Sequence, residues 1–381
     1  MTLVSRMKQT AGALQARCAI DARPGGRARW PALAIGLAAL AAAISGCSTA
    51  SVSGANAPLR VRPTYVSKQQ LHAPYAIAVG PHGNLWFSEY QNNALGRFTP
   101  AGNVARFKLS GEGFPERLTA GPDGNIWFTD PATNRIGRLK PSDGAVDYFP
   151  IPTPQSGPVG IAAGPDGALW FTEHAVGQIG RIAMDGKIIE YTVPSGGGPG
   201  EIVAGHDNDL WFVEDYGNNI GRITVLGVIS ELPIPTPGSR PGGLTIAADG
   251  TPWFTELAAD KVGKVVDGKK VVDFALPIGG VPLGIACGSD GHIWITSGRN
   301  HIFYKVSADG KIESLKAGPD TYPGFMVAGP DHNLWFTEPS GRIGRLTPPA
   351  SITEFVLPEP GHESTPAVQS SAAARENSGP A

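Results

Sequence analysis

Apolar and polar positions alternate along most of this chain in short runs, and the runs return at a fixed interval. Residues 159–191 show one full cycle. Val159-Gly-Ile-Ala-Ala163 is apolar and small and predicts a strand. Gly164-Pro-Asp-Gly167 carries the residue types that tight turns demand. Ala168-Leu-Trp-Phe-Thr-Glu173 alternates and is aromatic, which predicts a second strand. After the loop His174-Ala-Val-Gly177 comes a third strand, Gln178-Ile-Gly-Arg-Ile182. Met184-Asp-Gly186 is a hairpin signal, and Lys187-Ile-Ile-Glu-Tyr191 is the fourth strand. No stretch of useful length has helical periodicity.

The cycle is written seven times. Its tryptophans are Trp86, Trp127, Trp170, Trp211, Trp253, Trp294 and Trp335, spaced 41, 43, 41, 42, 41 and 41 residues apart. A proline precedes each, from Pro74 through Pro158 to Pro323, and a Gly-Arg or Gly-Lys mark follows, as in Ile179-Gly-Arg181. The sixth copy departs, with Phe303-Tyr-Lys305. Four short strands per repeat of this length predict an all-β chain: a seven-bladed β-propeller with four-stranded antiparallel blades. The Trp of the second strand and the Ile or Leu of the third are expected to pack between blades, so the ring stands or falls together. The propeller is assigned to 59–357, and the Pro-, Ser-, Ala- and Gly-rich end, 358–381, is expected to be disordered.

Composition changes the picture at the start of the chain. Residues 1–46 hold six basic residues and one acid, which leaves the rest at about −7 from the overall −2. That excess of acid disfavours nucleic acid, which needs clustered Lys and Arg. A basic flank, an apolar run from Pro31 to Ile44, and Ile44-Ser-Gly-Cys47 have the layout of a lipoprotein signal peptide, assigned to 1–46. Cys47 is the expected lipidation site, and 47–58 a flexible tether. The membrane is then met through the lipid anchor only. With Ser48 in the following position, the expected place is the cell envelope, on the outer membrane facing the periplasm. The chain is expected to be a monomer.

A propeller puts the turns between first and second strands on one face, with those between third and fourth. His82, His206, His292 and His332 fall in or beside those turns and read as surface residues. The opposite face collects the loops after the second strands and the connections between blades. Six of the seven second strands end in an acid there: Glu89, Asp130, Glu173, Glu214, Glu256 and Glu338, with Ser297 in the sixth. A residue kept in every repeat does a per-blade job, so these acids are expected to pair with the Gly-Arg arginines. Function is sought where the blades differ. Tyr75, Glu116, Arg240, Arg299 and Tyr322 are the ligand-binding candidates, and His174 and His301, the histidines of the second-to-third-strand loops, are the candidate general bases.

The repeat, Pro-x-Gly-Ile-x-x-Gly-Pro-Asp-Gly-x-Leu-Trp-Phe-Thr-Glu and then Ile-Gly-Arg-Ile, resembles that of the virginiamycin B lyase (streptogramin lyase) family over about residues 73–357. The resemblance implies a seven-bladed propeller that opens the ester ring of a cyclic depsipeptide by elimination, with Mg²⁺ polarising a carbonyl and a His taking the α-proton. It also implies a Pro-His pair opening the sixth blade and Glu-Pro-His opening the seventh. Here those places read Pro282-Leu283 and Tyr322-Pro323-Gly324, and Glu338-Pro339 matches the further acid only loosely. Glu338 is the metal-ligand candidate, with Glu116 as a second. The first expectation is therefore a binding module whose channel face holds a peptide, glycan or protein. The alternative is a Mg²⁺-dependent carbon–oxygen lyase with a relocated base.

Overall fold

The computed structural model describes residues 73–348, 351–358 and 369–371. The segments read as signal peptide (1–46) and tether (47–58), with Cys47, lie outside the described residues. Within them the chain forms seven antiparallel sheets, each built from strands consecutive in sequence. In the third blade the strands are Pro158–Ala163, Leu169–Glu173, Gln178–Ile182 and Ile188–Thr192, each within two residues of the pattern-based expectation. Six sheets have four strands, and the seventh gains a fifth, Gln369–Ser371, from the tail expected to be disordered.

Alternation along the second strand decides how blades meet, because successive side chains point to opposite faces. Trp170 packs forward, among Ile202, Leu210 and Phe212 of the next blade. Leu169 and Phe171 pack backward against Trp127 of the previous one. Thr172 shares the forward face. Its hydroxyl donates to the Gly200 carbonyl of the next blade at 2.8 Å and accepts from its own Gly160 N–H at 2.8 Å. Ser88, Thr129, Thr255, Thr296 and Thr337 repeat this staple. The last closes the ring: Thr337 donates to the Tyr75 carbonyl at 2.8 Å, and Trp335 packs with Phe87 and Phe98 of blade one. Among the described residues, closure is by this packing rather than by an exchanged strand. Val213 occupies the equivalent place in blade four and has no hydroxyl.

The Gly of the Gly-Arg mark is a close approach. A Cβ on Gly180 would lie 2.0 Å from Phe171 Cζ, so the ring needs a bare backbone beneath it. The sixth blade reverses the sizes across the same register: Ile295 stands where others have Phe, and buried Tyr304 where others have Gly. That copy is compensated rather than degraded.

Contrary to the expectation from sequence, the Gly-Arg arginines do not pair with the strand-end acids. They lie at the other end of the strand, because Trp170 is in register with Arg181 while Glu173 faces Gln178. Arg181 bonds the turn residue Asp166 at 2.6 Å and lies 5.9 Å above the Trp170 ring. Asp166 also accepts the Trp170 indole N–H at 3.0 Å and caps the Ala168 N–H. Asp123, Asp290 and Asp331 accept their own tryptophans likewise. Blade six keeps the arrangement through Lys305, 3.0 Å from Asp290.

Candidate functional site

The opposite face divides into two halves. In blades two to five, connections and loops bring charged side chains together. His174 Nε2 lies 3.8 Å from Asp215 Oδ2, and the ring meets Tyr216 edge-on at 5.0 Å. Arg240 Nε bonds Asp215 Oδ1 at 3.1 Å. Burial alone would raise the Asp215 carboxyl, but His174 and Arg240 outweigh it and hold the pKa below the ordinary value. His174 is buried, and its Nδ1 is the only buried histidine nitrogen without a hydrogen-bond partner among the described residues. On the side of blades six, seven and one, the channel itself is lined by apolar Leu283, Phe325 and Met326.

Backbone strain marks this cluster. The residue before the repeat proline is left-handed in four blades: Gly157 and Gly198, but also Arg240 (φ 53°) and Val281 (φ 57°). A side chain there costs about 1–2 kcal/mol relative to glycine. Arg240 keeps its side chain at that cost, in contact with Asp215 and 42% exposed.

Across the channel, Arg117 Nε bonds Glu201 Oε2 at 2.8 Å, and its guanidinium lies 3.8 Å from the Phe325 ring centroid and 5.3 Å from that of Tyr75. The pair lines a cavity of about 80 Å³ beside Leu283 and Phe325, room for a few waters. Glu116 sits behind it. Burial raises its pKa, Arg117 and His174 oppose the rise, and Glu201 adds to it.

The sequence candidates thus fall in separate places. His174, Glu116 and Arg240 share the polar half, and Tyr75 borders it through Arg117. His301 belongs to another blade. Its φ of 55° matches Asn134 and Asn218, and its Nδ1 sits 2.8 Å from the Thr321 carbonyl, as Asn134 Nδ2 bonds Thr153 O. It holds a loop, with its ring 4.3 Å from Tyr322. Arg299 is exposed in the same loop. Glu338 is buried, bonded by Arg342 at 2.9 Å and by the Tyr322 N–H at 3.4 Å. A guanidinium occupies the place a metal ion would take, and the described residues contain no group of three His, Cys, Asp or Glu able to hold one. The donor set therefore does not fit the Mg²⁺ that the resemblance implies.

Sequence reading counts Arg117 among the variable polar residues of this face, though not among the ligand-binding candidates, and it misses Glu201 and Phe325. All three stand two residues after a repeat proline, where the other four blades have Ala or Gly. Seven strands converge on the axis there, so a large residue in that column necessarily enters the channel.

The model of the "Virginiamycin B lyase family" matches residues 61–197 and 193–374. A virginiamycin B lyase of Nocardia farcinica is 34% identical over 118 residues, 31% of this chain and 41% of that relative. The chain is thus matched over less than half the length of that curated relative. Among solved structures, a catalytically inactive virginiamycin B lyase of Staphylococcus aureus with quinupristin superposes with a TM-score of 0.69 at 34% identity. That match covers 73% of this chain and 96% of the other. A selenomethionine form of the Staphylococcus aureus lyase gives 0.70 at 33% identity, over 75% and 98%.

Proposed function

The chain belongs to the virginiamycin B lyase family, and we propose that it is an elimination enzyme, a carbon–oxygen lyase acting on a cyclic ester, with His174 as base. The observation that carries this reading is the cluster His174–Asp215–Arg240: a buried imidazole with an unpaired nitrogen, a carboxylate beside it, and a half-exposed cation held in a strained backbone. The chemistry needs these parts. A carbon-bound proton next to a carbonyl is weakly acidic, so its removal requires a base and a positive group for the developing enolate. His174 takes the α-proton, and Arg240 meets the negative charge. The electron pair then forms the C=C bond as the C–O bond breaks, and the ester leaves as a carboxylate. Asp215 favours the imidazolium that results. No step is routed through a metal ion.

A second reading has its own support. Leu283 and Gly324 stand where the family pattern has histidines, and the Arg117–Glu201 pair lines the channel cavity. These favour a module that holds a peptide, glycan or protein without altering it.

One experiment separates the two. The purified chain is incubated with a streptogramin B-type cyclic depsipeptide and followed by chromatography and mass spectrometry. Elimination opens the ring with no change of mass, whereas hydrolysis adds one water. His174→Ala is expected to lower turnover by about 10²–10⁴-fold. Retention of the intact depsipeptide in equilibrium dialysis, with no opening by the wild type, would leave the binding reading. We also propose that the protein works as a monomer at the cell envelope, anchored through Cys47. The support is the layout of residues 1–47. Mass spectrometry of the mature N-terminus should find a lipidated Cys47, and an unmodified thiol there would end that proposal.

A further inference from the structure

The strand-end acids contain a second chemistry that the elimination site does not use. In blade seven, Glu338 ends the second strand and Glu354 lies on the fourth, two carboxylates on one face of the sheet. Arg342, the first residue of the third strand, bridges them: its Nη2 is 2.9 Å from Glu338 and its Nη1 3.1 Å from Glu354. Blade five pairs Glu256 with Asp273, and Lys261, again the first residue of the third strand, bonds Asp273 at 3.0 Å. In blade two Arg135 holds Asp130, and in blade one Arg106 holds Glu89. Each of these acids has a protein cation beside it or beside its partner.

Blade three has the same two carboxylates, but among the described residues no cation pairs with either. Glu173 ends its second strand, and Glu190 on the fourth lies in register with Gly180. The residue facing Glu173 is Gln178, in the place of Arg342 and Lys261. Glu173 is 0% exposed. Both of its oxygens and the buried Oε1 of Gln178 lack hydrogen-bond donors. Glu190 Oε1 accepts only the Thr153 N–H, at 3.0 Å. Blade four differs: its equivalent amide, Asn219, and the Ser195 hydroxyl both donate to Glu214 Oε2.

We propose that blade three holds a divalent metal ion, Ca²⁺ by its ligand chemistry, between Glu173, Glu190 and the Gln178 side-chain oxygen, where blade seven holds the Arg342 guanidinium. The donors are all oxygen, and carboxylates mixed with an amide suit the adaptable coordination of Ca²⁺ better than the strict octahedron of Mg²⁺. Burial and then Glu190 push the Glu173 carboxyl up to about 8, against the Ser156 hydroxyl, so the protein alone accommodates the two charges poorly. The ion is structural, and the proposal stands independently of the role of His174.

The test is the melting temperature of the purified full-length chain, chelated and then supplied with millimolar CaCl₂ at pH 7. The wild type should gain about 2–6 °C. Gln178→Arg, which installs the bridge of blade seven, should melt higher than chelated wild type and lose the response to Ca²⁺. Glu173→Gln should lose the response as well, which keeps the test open if the arginine variant does not fold. No gain in the wild type overturns the proposal and leaves a proton shared between Glu173 and Glu190. An equal gain in all three proteins also overturns it, since the ion would then bind elsewhere.

Discussion

In blades three, five and seven the two ends of the second strand carry a carboxyl group in opposite environments. At the turn end, Asp123, Asp166, Asp290 and Asp331 are each buried enough to raise their pKa, yet an indole N–H and further donors outweigh burial and hold all four below the ordinary value. At the loop end, burial dominates. Glu256 is pushed up to about 7, with Asp273 adding and Ser239 and Lys261 opposing, and Glu338 to about 8, with Glu354 adding and Arg342 opposing. The lesson is that a repeated carboxylate is defined by what faces it. In these blades the turn end of the repeat is ionised and the acid at the loop end resists ionisation, and the variable site sits at the loop end.

The largest effect expected from breaking this contrast is at the Gly beneath the Phe ring, on which both ends depend. Gly180→Ala forces a Cβ to within 2.0 Å of Phe171 Cζ. It should destabilise the ring by about 1–3 kcal/mol in denaturant unfolding. Next is the turn end. Asp166→Ala leaves the Trp170 indole and Arg181 without their acceptor, and should cost about 1–3 kcal/mol by the same measurement.

The sign of the pH dependence sharpens the comparison. The turn aspartates have lowered folded-state pKa values. Their contribution is present above the unfolded value of about 4 and is lost as pH falls through the folded values. The glutamates have raised values. Their contribution is complete below the ordinary 4.5 and is lost as pH rises through about 7 for Glu256 and about 8 for Glu338. Melting temperature should therefore peak where both contributions are complete, near pH 4–4.5. Glu338→Gln should flatten the alkaline limb and leave the acid limb unchanged. The smallest effect is a gain: Val213→Thr restores the missing inter-blade staple and should add about 0.5–1 kcal/mol. An unchanged denaturation midpoint would show that blade four is closed without it.

Much of this was legible in the chain. The Trp comb and the turn motifs specify seven blades and, in the third, the strand boundaries, because a period-2 pattern with punctuated turns leaves few alternatives. Alternation also implies that Trp and Thr share a face. The partner of each strand-end acid was not legible, since register placed Glu173 against Gln178 and Arg181 against Trp170. His301 and His174 looked equivalent in sequence, and only backbone conformation separates a loop-holding ring from one with an unpaired nitrogen.

Local pattern determined the blades because each strand pairs with its sequence neighbour, at short range. Closure of the ring decided the site. Arg117 meets Glu201 and Phe325 across the axis, 84 and more residues apart in sequence. No periodicity encodes such a contact, because it exists only when every blade is in place and the strands nearest the axis converge.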